Sequence, residues 1–360
     1  MSLDMRKHYI DNLRWIILLI LIPYHAAMAW NSWGEPNYVF FEGNKLISSL
    51  IVFFSPYFMP LLFVLAGVST KYALQKRTKK GYLIERVKKL LVPFLFGTIS
   101  LMPIMAYIAD RFNCSYSGKF LEHYVIFFTR YTDLIGADGG FSLGQFWFLL
   151  YLLIISIVGV GIISLLKKYE TEKTIPFWFV FLLGLPLPLL SELLSIGGKS
   201  IVEYTYLFMV GYYVFADEKI VNKSEKSSLL LLCIGLIATI LNVYLFIWVN
   251  EEFVLLNSIT KYVSEWIMII ALIGLSKRCL NISNKSLDYM NKRSFLFYIY
   301  HFVWVILFQY ILYGFIGNKT FIIFMGTMLL SYLATFVCCE ITIRIPVLCF
   351  LTGTKYTANK

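Results

Sequence analysis

The chain has 360 residues, of which 59% are hydrophobic and 15% are charged, and its mean hydropathy is +0.72. An ordinary soluble domain has roughly 25% charged residues, so this composition excludes a soluble globular protein and indicates a polytopic membrane protein. The formal net charge of +11 does not indicate a nucleic-acid partner, because most of its carriers fall on short loops, where membrane topology and anionic lipid account for them.

Apolar runs of roughly 17 to 25 residues, each long enough to cross a bilayer, predict an all-α bundle of ten transmembrane helices. The predicted spans are 13–31, 47–70, 90–109, 144–166, 175–194, 202–217, 228–249, 258–276, 295–315 and 320–343. The fifth and sixth are the least regular, because Pro186, Pro188 and Gly197 interrupt that region and favour a broken or re-entrant segment.

The positions of Lys and Arg set the predicted orientation. With both termini cytoplasmic, 25 of the 32 Lys and Arg residues fall on inner segments and 7 on outer ones, as the positive-inside rule requires. We expect one transmembrane domain over 1–360, with a core at 9–343 and no appended soluble domain. The longest outer segment, 110–143, contains an aromatic stretch at 120–131 that is predicted to form a short helix at the interface. Two roles for this segment remain possible, namely a lid or binding surface and a simple covering loop.

The first helix carries Arg14 and His25, two residues that are costly at membrane depth and usually mark function. They are eleven positions apart, which is roughly 16 Å along a helix and close to three full turns, so both project from one face. A guanidinium suits phosphate, and a neutral imidazole can act as a base. An acyl donor on a phosphate-bearing carrier, such as acyl-CoA, meets both demands. The alternative is an anchoring arginine and a helix-packing histidine.

A basic segment at 71–89 carries eight Lys and Arg residues, and three of them, Arg86, Lys88 and Lys89, directly precede the apolar run that starts at Leu90. This segment faces the compartment that contains CoA. Two interpretations are open, namely binding of the CoA phosphates and contact with lipid headgroups.

Other residues offer weaker indications, and each has a structural alternative. Tyr24 adds a hydroxyl beside His25, Trp147 can stack on a sugar ring or belong to the aromatic belt, and Glu192 can orient His25, contact a sugar hydroxyl or lie at the interface. His301 can assist the donor path or be a buried structural histidine, whereas His8 and His123 are expected to be solvated. No Cys or His spacing indicates a metal site, so none is expected.

Several motifs together resemble the acyltransferase-3 family of integral membrane acyltransferases. They cover nearly the whole chain, from about residue 9 to 343, and the segment Asp11-Asn-Leu-Arg-Trp15 resembles the glucan-biosynthesis-C branch. The motifs are Arg14-x10-His25, Phe58-Met-Pro-Leu-Leu-Phe-Val-Leu-Ala-Gly67, Arg86-x-x-Lys89, Gln145-Phe-Trp147-Phe-Leu and Tyr300-His301.

The resemblance implies that His25 is the essential histidine, acting as a base on the acceptor hydroxyl or as a transient acyl carrier. It implies that Arg86 and Lys89 match an Arg-x-x-Arg pair that holds the CoA phosphates, with a lysine here in place of the second arginine. Arg14 matches the arginine or lysine that opens the histidine motif.

We therefore expect an O-acyltransferase in a bacterial plasma membrane. It would use acyl-CoA, most simply acetyl-CoA, as co-substrate and modify a carbohydrate or envelope glycan, with membrane lipid as a further partner. Two other classes remain open from the residues alone: a transporter or flippase for a polysaccharide or lipid-linked sugar, and a scaffold in a glycan-synthesis complex.

Overall fold

The computed structural model describes residues 7–131, 133–167, 174–249 and 253–356, and this part of the chain is almost entirely helical. The only paired strands in it are β1 (Ser195–Ile196) and β2 (Lys199–Ser200), a two-residue antiparallel hairpin. The helices, in chain order, are α1 (His8–Met28), α2 (Lys45–Lys76), α3 (Lys79–Asn113), α4 (Phe120–Thr129), α5 (Gly144–Leu166), α6 (Phe177–Glu192), α7 (Ile201–Phe215), α8 (Glu218–Trp248), α9 (Val254–Leu280), α10 (Lys285–Ile316), α11 (Thr320–Thr342) and α12 (Pro346–Leu351).

The prediction of an all-α membrane protein is confirmed, with eight helices among the described residues long and apolar enough to cross a bilayer. The predicted spans at 175–194 and 202–217 instead form the shorter apolar helices α6 and α7. Proline and glycine explain the difference in α6, because a turn through Gly184 and Pro186 divides it into Phe177–Leu182 and Leu187–Glu192. The cytoplasmic location of both termini stays a prediction, and residues 1–6 and 357–360 lie outside the described part.

The described residues form two compact units, and several helices contribute to both. The first unit comprises the described residues of 1–17, 52–82 and 155–292. The second unit comprises those of 18–51, 83–154 and 293–360. Each unit collects segments that are distant in sequence, so its internal packing depends on contacts between helices rather than on local connections.

Close backbone contact between α2 and α7 characterises the first unit. A Cβ on Gly67 would stand 1.9 Å from the Phe208 carbonyl oxygen, and a Cβ on Gly211 would stand 2.1 Å from the Val64 carbonyl oxygen. Small residues allow such approach between helices in a membrane. The same unit contains the pair of α8 and α9, where Gly274 lies directly against the backbone of Ser224.

In the second unit, two prolines inside helices leave backbone carbonyl groups without a helical hydrogen bond. In each case a tyrosine hydroxyl donates to the carbonyl oxygen instead. Pro23 has no N–H for the carbonyl of Leu19 one turn earlier, and the Tyr332 hydroxyl donates to that oxygen at 2.7 Å. Pro103 likewise leaves the Ile99 carbonyl, which accepts from the Tyr124 hydroxyl at 3.1 Å. A carbonyl group within a membrane needs such a partner, so these side chains permit proline within α1 and α3.

Candidate functional site

His25 and His301 lie against each other in the second unit, although they are distant in sequence. Their ring centroids are 5.3 Å apart, and the His25 ring stacks on Phe302 with a centroid distance of 3.9 Å. His25 is half-buried, and the Tyr24 ring meets it edge-on. The two histidines that the sequence marked on α1 and α10 therefore form one site.

Hydrogen bonds fix the end of α1 that carries His25. The Gln309 side chain on α10 donates through Nε2 to the Ala26 carbonyl at 2.9 Å. Ala26 lies in the last turn of α1, where carbonyl groups have no intrahelical partner. The Tyr332 hydroxyl donates to the Leu19 carbonyl, one turn before Pro23. The two hydrogen bonds therefore hold the backbone on both sides of His25. The His25 ring is thus placed by contacts from α10 and α11.

The two ring nitrogens of His301 have different roles. Nδ1 lies 2.8 Å from the Tyr298 carbonyl oxygen, and because a carbonyl only accepts, Nδ1 carries the hydrogen. In the neutral ring, Nε2 is then an acceptor. His301 is fully buried, and its Nε2 has no hydrogen-bond partner among the described atoms. The site therefore contains an unused proton acceptor beside His25.

The Gln145-Phe-Trp147 motif fastens the start of α5 to α10 next to His301. The Tyr298 hydroxyl donates to the Gln145 carbonyl oxygen, and Gln145 Nε2 donates to the Ile299 carbonyl oxygen at 3.4 Å. Trp147 is 6% exposed, and its ring packs edge-on against Tyr151 at 5.2 Å. The motif thus has a positioning role in this structure, and sugar stacking by Trp147 stays a prediction.

Arg14 lies on α1 within the first unit, in a polar segment. Its guanidinium donates to the Ser69 hydroxyl at 3.0 Å and contacts Asp11 at 3.4 Å. The neighbouring Asn12 is buried and donates to the carbonyl oxygens of Leu280 and Ile282 at 2.8 and 2.9 Å, which caps the end of α9. The segment from Asp11 to Arg14 therefore combines a structural cap with a half-exposed guanidinium.

Arg86, Lys88 and Lys89 lie on α3 in the second unit, at the start of a π-helical segment, Val87–Leu91. Arg86 is half-buried and both lysines are exposed. Lys89 Nζ pairs with Glu85 at 2.6 Å, whereas Lys88 makes no ion pair within the described residues. An exposed ion pair of this kind contributes at most about 1 kcal/mol, so an anionic ligand can displace Glu85. π-helical turns occur frequently at functional sites.

Glu192 ends α6 in the first unit and is exposed. It belongs to a different unit from His25. Its proposed contact with His25 or with a sugar hydroxyl stays a prediction.

The expectation that His123 is solvated is wrong. His123 on α4 is fully buried and pairs through Nε2 with Asp110 at 2.8 Å, and Arg130 Nη2 donates to the same carboxylate at 2.8 Å. The bond to Asp110 raises the pKa of Arg130. A signal was present in the sequence, since Phe120, His123 and Phe127 lie on one helical face. This cluster joins α4 to the end of α3.

The chain is similar to known proteins over nearly its whole length. The profile of a family described as an acyltransferase domain matches residues 7–340. The chain is 24% identical, over an alignment of 396 positions, to the glucans biosynthesis protein C of Salmonella paratyphi B, Salmonella schwarzengrund and Salmonella dublin, with 97% of this chain and 95% of each relative covered. No solved structure matches the chain. Because the family match spans nearly all of it, this chain belongs to the acyltransferase-3 family of membrane acyltransferases.

Proposed function

We propose that this membrane acyltransferase moves an acyl group, most simply acetyl, from cytoplasmic acyl-CoA to a hydroxyl of a carbohydrate outside the cytoplasm, in a bacterial plasma membrane. The observation that carries the proposal is the contact between the half-buried His25 and the fully buried His301 in a chain of this family. A carbohydrate acceptor is supported by the relatives that are named for glucan biosynthesis. Family membership favours this function over a transporter or a scaffold.

In the proposed reaction, His25 removes the proton from the acceptor hydroxyl while its oxygen attacks the thioester carbonyl carbon. The C–S bond breaks, the acyl group stays on the acceptor as an ester, and the CoA thiolate takes the proton from the His25 imidazolium. His301 Nε2, the unused acceptor beside it, stabilises the transiently charged ring. If His25 instead carries the acyl group, the kinetics become ping-pong, which distinguishes the two routes.

In this proposal Arg86, Lys88 and Lys89, which lie in the second unit, bind the phosphates of the donor. The assignment of Arg14, in the first unit, to donor binding stays a prediction from the sequence. Charge and exposure support Lys88 and Lys89, which an anionic ligand can reach from solvent. A guanidinium offers phosphate a planar fork of donors, and an ammonium offers a point charge. Tyr24, Trp147 and Glu192 are proposed contacts of the acceptor, and anionic lipid is a further partner of the basic segment.

Replacing His25 tests the catalytic assignment. In proteoliposomes supplied with acetyl-CoA and a glucan, His25→Ala should lower alkali-labile acetate on the glucan by about 10² to 10⁴-fold, since it removes the acid–base group. His8→Ala is the matched control, because His8 begins the same helix and is half-buried. Full acetate incorporation by the His25 variant would contradict the proposal.

Charge reversal tests the donor site separately. Arg86→Glu and Lys89→Glu should each raise the KM for acetyl-CoA by about tenfold, equivalent to roughly 1.4 kcal/mol of binding, and leave the KM for the glucan unchanged. Lys226→Glu, an exposed residue on a different predicted inner segment, should change neither constant. If the KM for acetyl-CoA in all three variants equalled that of the parent protein, the assignment of Arg86 and Lys89 to the donor site would be wrong.

A further inference from the structure

A groove of about 700 Å³ opens in the second unit, away from the histidine pair. Three segments form its walls: the loop that follows α1, the end of α3 and the end of α10. The residues that line the groove include Phe41, Glu42, Arg111, Phe112, Tyr310 and Tyr313. Aromatic rings dominate the surface, and a carboxylate and a guanidinium stand among them.

The aromatic wall is built as a connected cluster. Phe41 contacts Phe112 at 5.3 Å and Tyr313 at 5.5 Å, and Phe112 contacts Tyr313 at 5.1 Å between ring centroids. Phe41 also stacks on the buried ring of Trp30 at 4.6 Å. These contacts hold the rings in fixed positions, so the groove presents a preformed apolar surface.

Polar groups are present at the same surface. The Arg111 guanidinium donates to the Tyr107 hydroxyl at 3.5 Å, and Tyr310 lines the groove with it. Glu42 is exposed and makes no hydrogen bond or ion pair within the described residues. A carboxylate accepts from hydroxyl groups and a guanidinium donates to them. A sugar ring offers C–H faces to aromatic rings and hydroxyls at its edges, which matches this combination, whereas a lipid chain leaves both charges desolvated.

The position of the groove determines which part of a ligand it can hold. Phe41 N–H donates to the Ala29 carbonyl at 2.8 Å, which attaches the groove to the residues that follow His25. On α10, Tyr310 and Tyr313 lie nine and twelve residues beyond His301, or about 14 and 18 Å along the helix. All three lining segments fall on the predicted outer side, opposite the basic segment. The groove is therefore remote from the bond that is made.

We propose that this groove binds the non-reacting part of an oligosaccharide acceptor, several sugar units away from the hydroxyl that is acylated. The inference rests on the proposed function and specifies its acceptor as an extended carbohydrate rather than a single sugar. Binding energy from a remote part of a substrate can orient the reacting group. Long acceptors should therefore be used much better than short ones.

Two measurements on the reconstituted protein test the groove. The first compares the KM for a graded series of linear glucan oligosaccharides with that for glucose, using acetyl-CoA as donor. Tyr313→Ala should raise the KM for the long oligosaccharides by about tenfold and leave the constants for glucose and acetyl-CoA unchanged. Tyr313→Phe retains the ring and should behave as the parent. Phe321→Ala, which removes a 74%-exposed ring outside the groove, is the matched control.

The second measurement is calorimetric binding of the longest oligosaccharide without donor, which does not depend on catalysis. Binding that Tyr313→Ala weakens and Phe321→Ala does not would support the groove even if no acetyl is transferred, so failure of the proposed function is seen separately. Absence of binding to the parent protein, or equal KM values for Tyr313→Ala and the parent with long acceptors, would overturn the proposal.

Discussion

His301 is a buried histidine with one ring nitrogen that makes no hydrogen bond among the described atoms. An unmade hydrogen bond in a buried site costs about 1–3 kcal/mol, and Nδ1 of the buried His123 is unpaired in the same way, so His301 is distinguished by its position beside His25. Here Nδ1 donates to Tyr298 and Nε2 has no partner among the described atoms. Beside an imidazole that is proposed to be catalytic, this unpaired nitrogen offers an acceptor for the charge that develops in the proposed reaction. We therefore treat His301 as a positioning residue for His25.

Replacing His301 by phenylalanine separates this role from packing. The new ring can keep the contacts with Phe297 and Phe302 but offers no acceptor. We expect kcat to fall by about tenfold, which is less than the 10² to 10⁴-fold effect of removing the acid–base group itself, because His301 acts through His25. The KM for acetyl-CoA should be unchanged. Initial rates and melting temperature in detergent are measured together. An unchanged kcat would show that the ring only fills space.

Tyr332→Phe tests how α1 tolerates Pro23. Removing the hydroxyl leaves the Leu19 carbonyl without its 2.7 Å donor. Because this bond is part-buried, we expect a cost at the low end of the roughly 1–3 kcal/mol of a buried unsatisfied acceptor. We expect a lower melting temperature and a partial loss of activity, because His25 lies two residues from Pro23. Tyr131→Phe, at a ring that is 73% exposed, should have no effect. Identical melting of both variants would contradict this account.

At the residue scale, the sequence predicts which residues share one helix better than it predicts which residues of different helices are in contact. The spacing of Arg14 and His25 placed both correctly on α1, because helical periodicity is local. The contact of His25 with His301 depends on the packing of α10 against α1, which no local pattern encodes. The polarity of His123 within a long outer segment predicts exposure, whereas its burial follows from its position on the helical face that it shares with Phe127.

Glycine determines the closest helix contact, that of α2 with α7. Gly67 and Gly211 each face the backbone of the other helix, and no space is left there for a Cβ atom. Glycine is therefore needed at both positions for its small size and not for its conformational freedom. Gly67 also ends the Phe58–Gly67 motif. The glycine at the end of this motif is therefore explained by the first unit, where two helices approach with no side chain between them.

Adding a single methyl group tests this contact. Gly67→Ala places a Cβ at 1.9 Å from a backbone oxygen, so the helices must separate, and overpacking of this kind costs about 1–3 kcal/mol. Gly161→Ala is the control, because nothing lies within 4 Å of its added Cβ, and it should be neutral or stabilising by up to about 1 kcal/mol. Thermal unfolding in detergent measures both. Equal stability of the two variants would show that the α2–α7 contact adjusts without cost.

The elements that the sequence predicted incompletely are those whose length depends on tertiary contacts. Long apolar runs gave α1, α5 and α11 closely, and the aromatic stretch at 120–131 forms α4. The runs at α6 and α7 form shorter helices than full spans. The turn through Gly184 and Pro186 divides α6, in keeping with the interruption that proline and glycine favour in the sequence, whereas α7 contains no proline. The two units could not be predicted at all, because each combines segments from three separate parts of the chain.

On the scale of the whole molecule, the orientation that the Lys and Arg distribution predicts sets the direction of the proposed acyl transfer. Acyl-CoA is a cytoplasmic compound in the proposed reaction, so the basic segment must face the cytoplasm and the groove must face the opposite side. Both requirements follow from one orientation, and reversing it would reverse the direction of transfer. Membrane topology is therefore the property on which the direction of the proposed function depends.

Two native cysteines make that orientation measurable. Cys114 and Cys279 are both exposed, and the sequence places them on outer and inner segments, respectively. In variants that retain only one of them, a membrane-impermeant maleimide should label Cys114 in intact cells and Cys279 only after permeabilisation, since the reagent cannot cross the bilayer. Labelling of both after permeabilisation is the control for reactivity. If Cys279 reacted in intact cells and Cys114 did not, the basic segment would lie outside, away from any cytoplasmic acyl-CoA, and the proposed direction of transfer would be impossible.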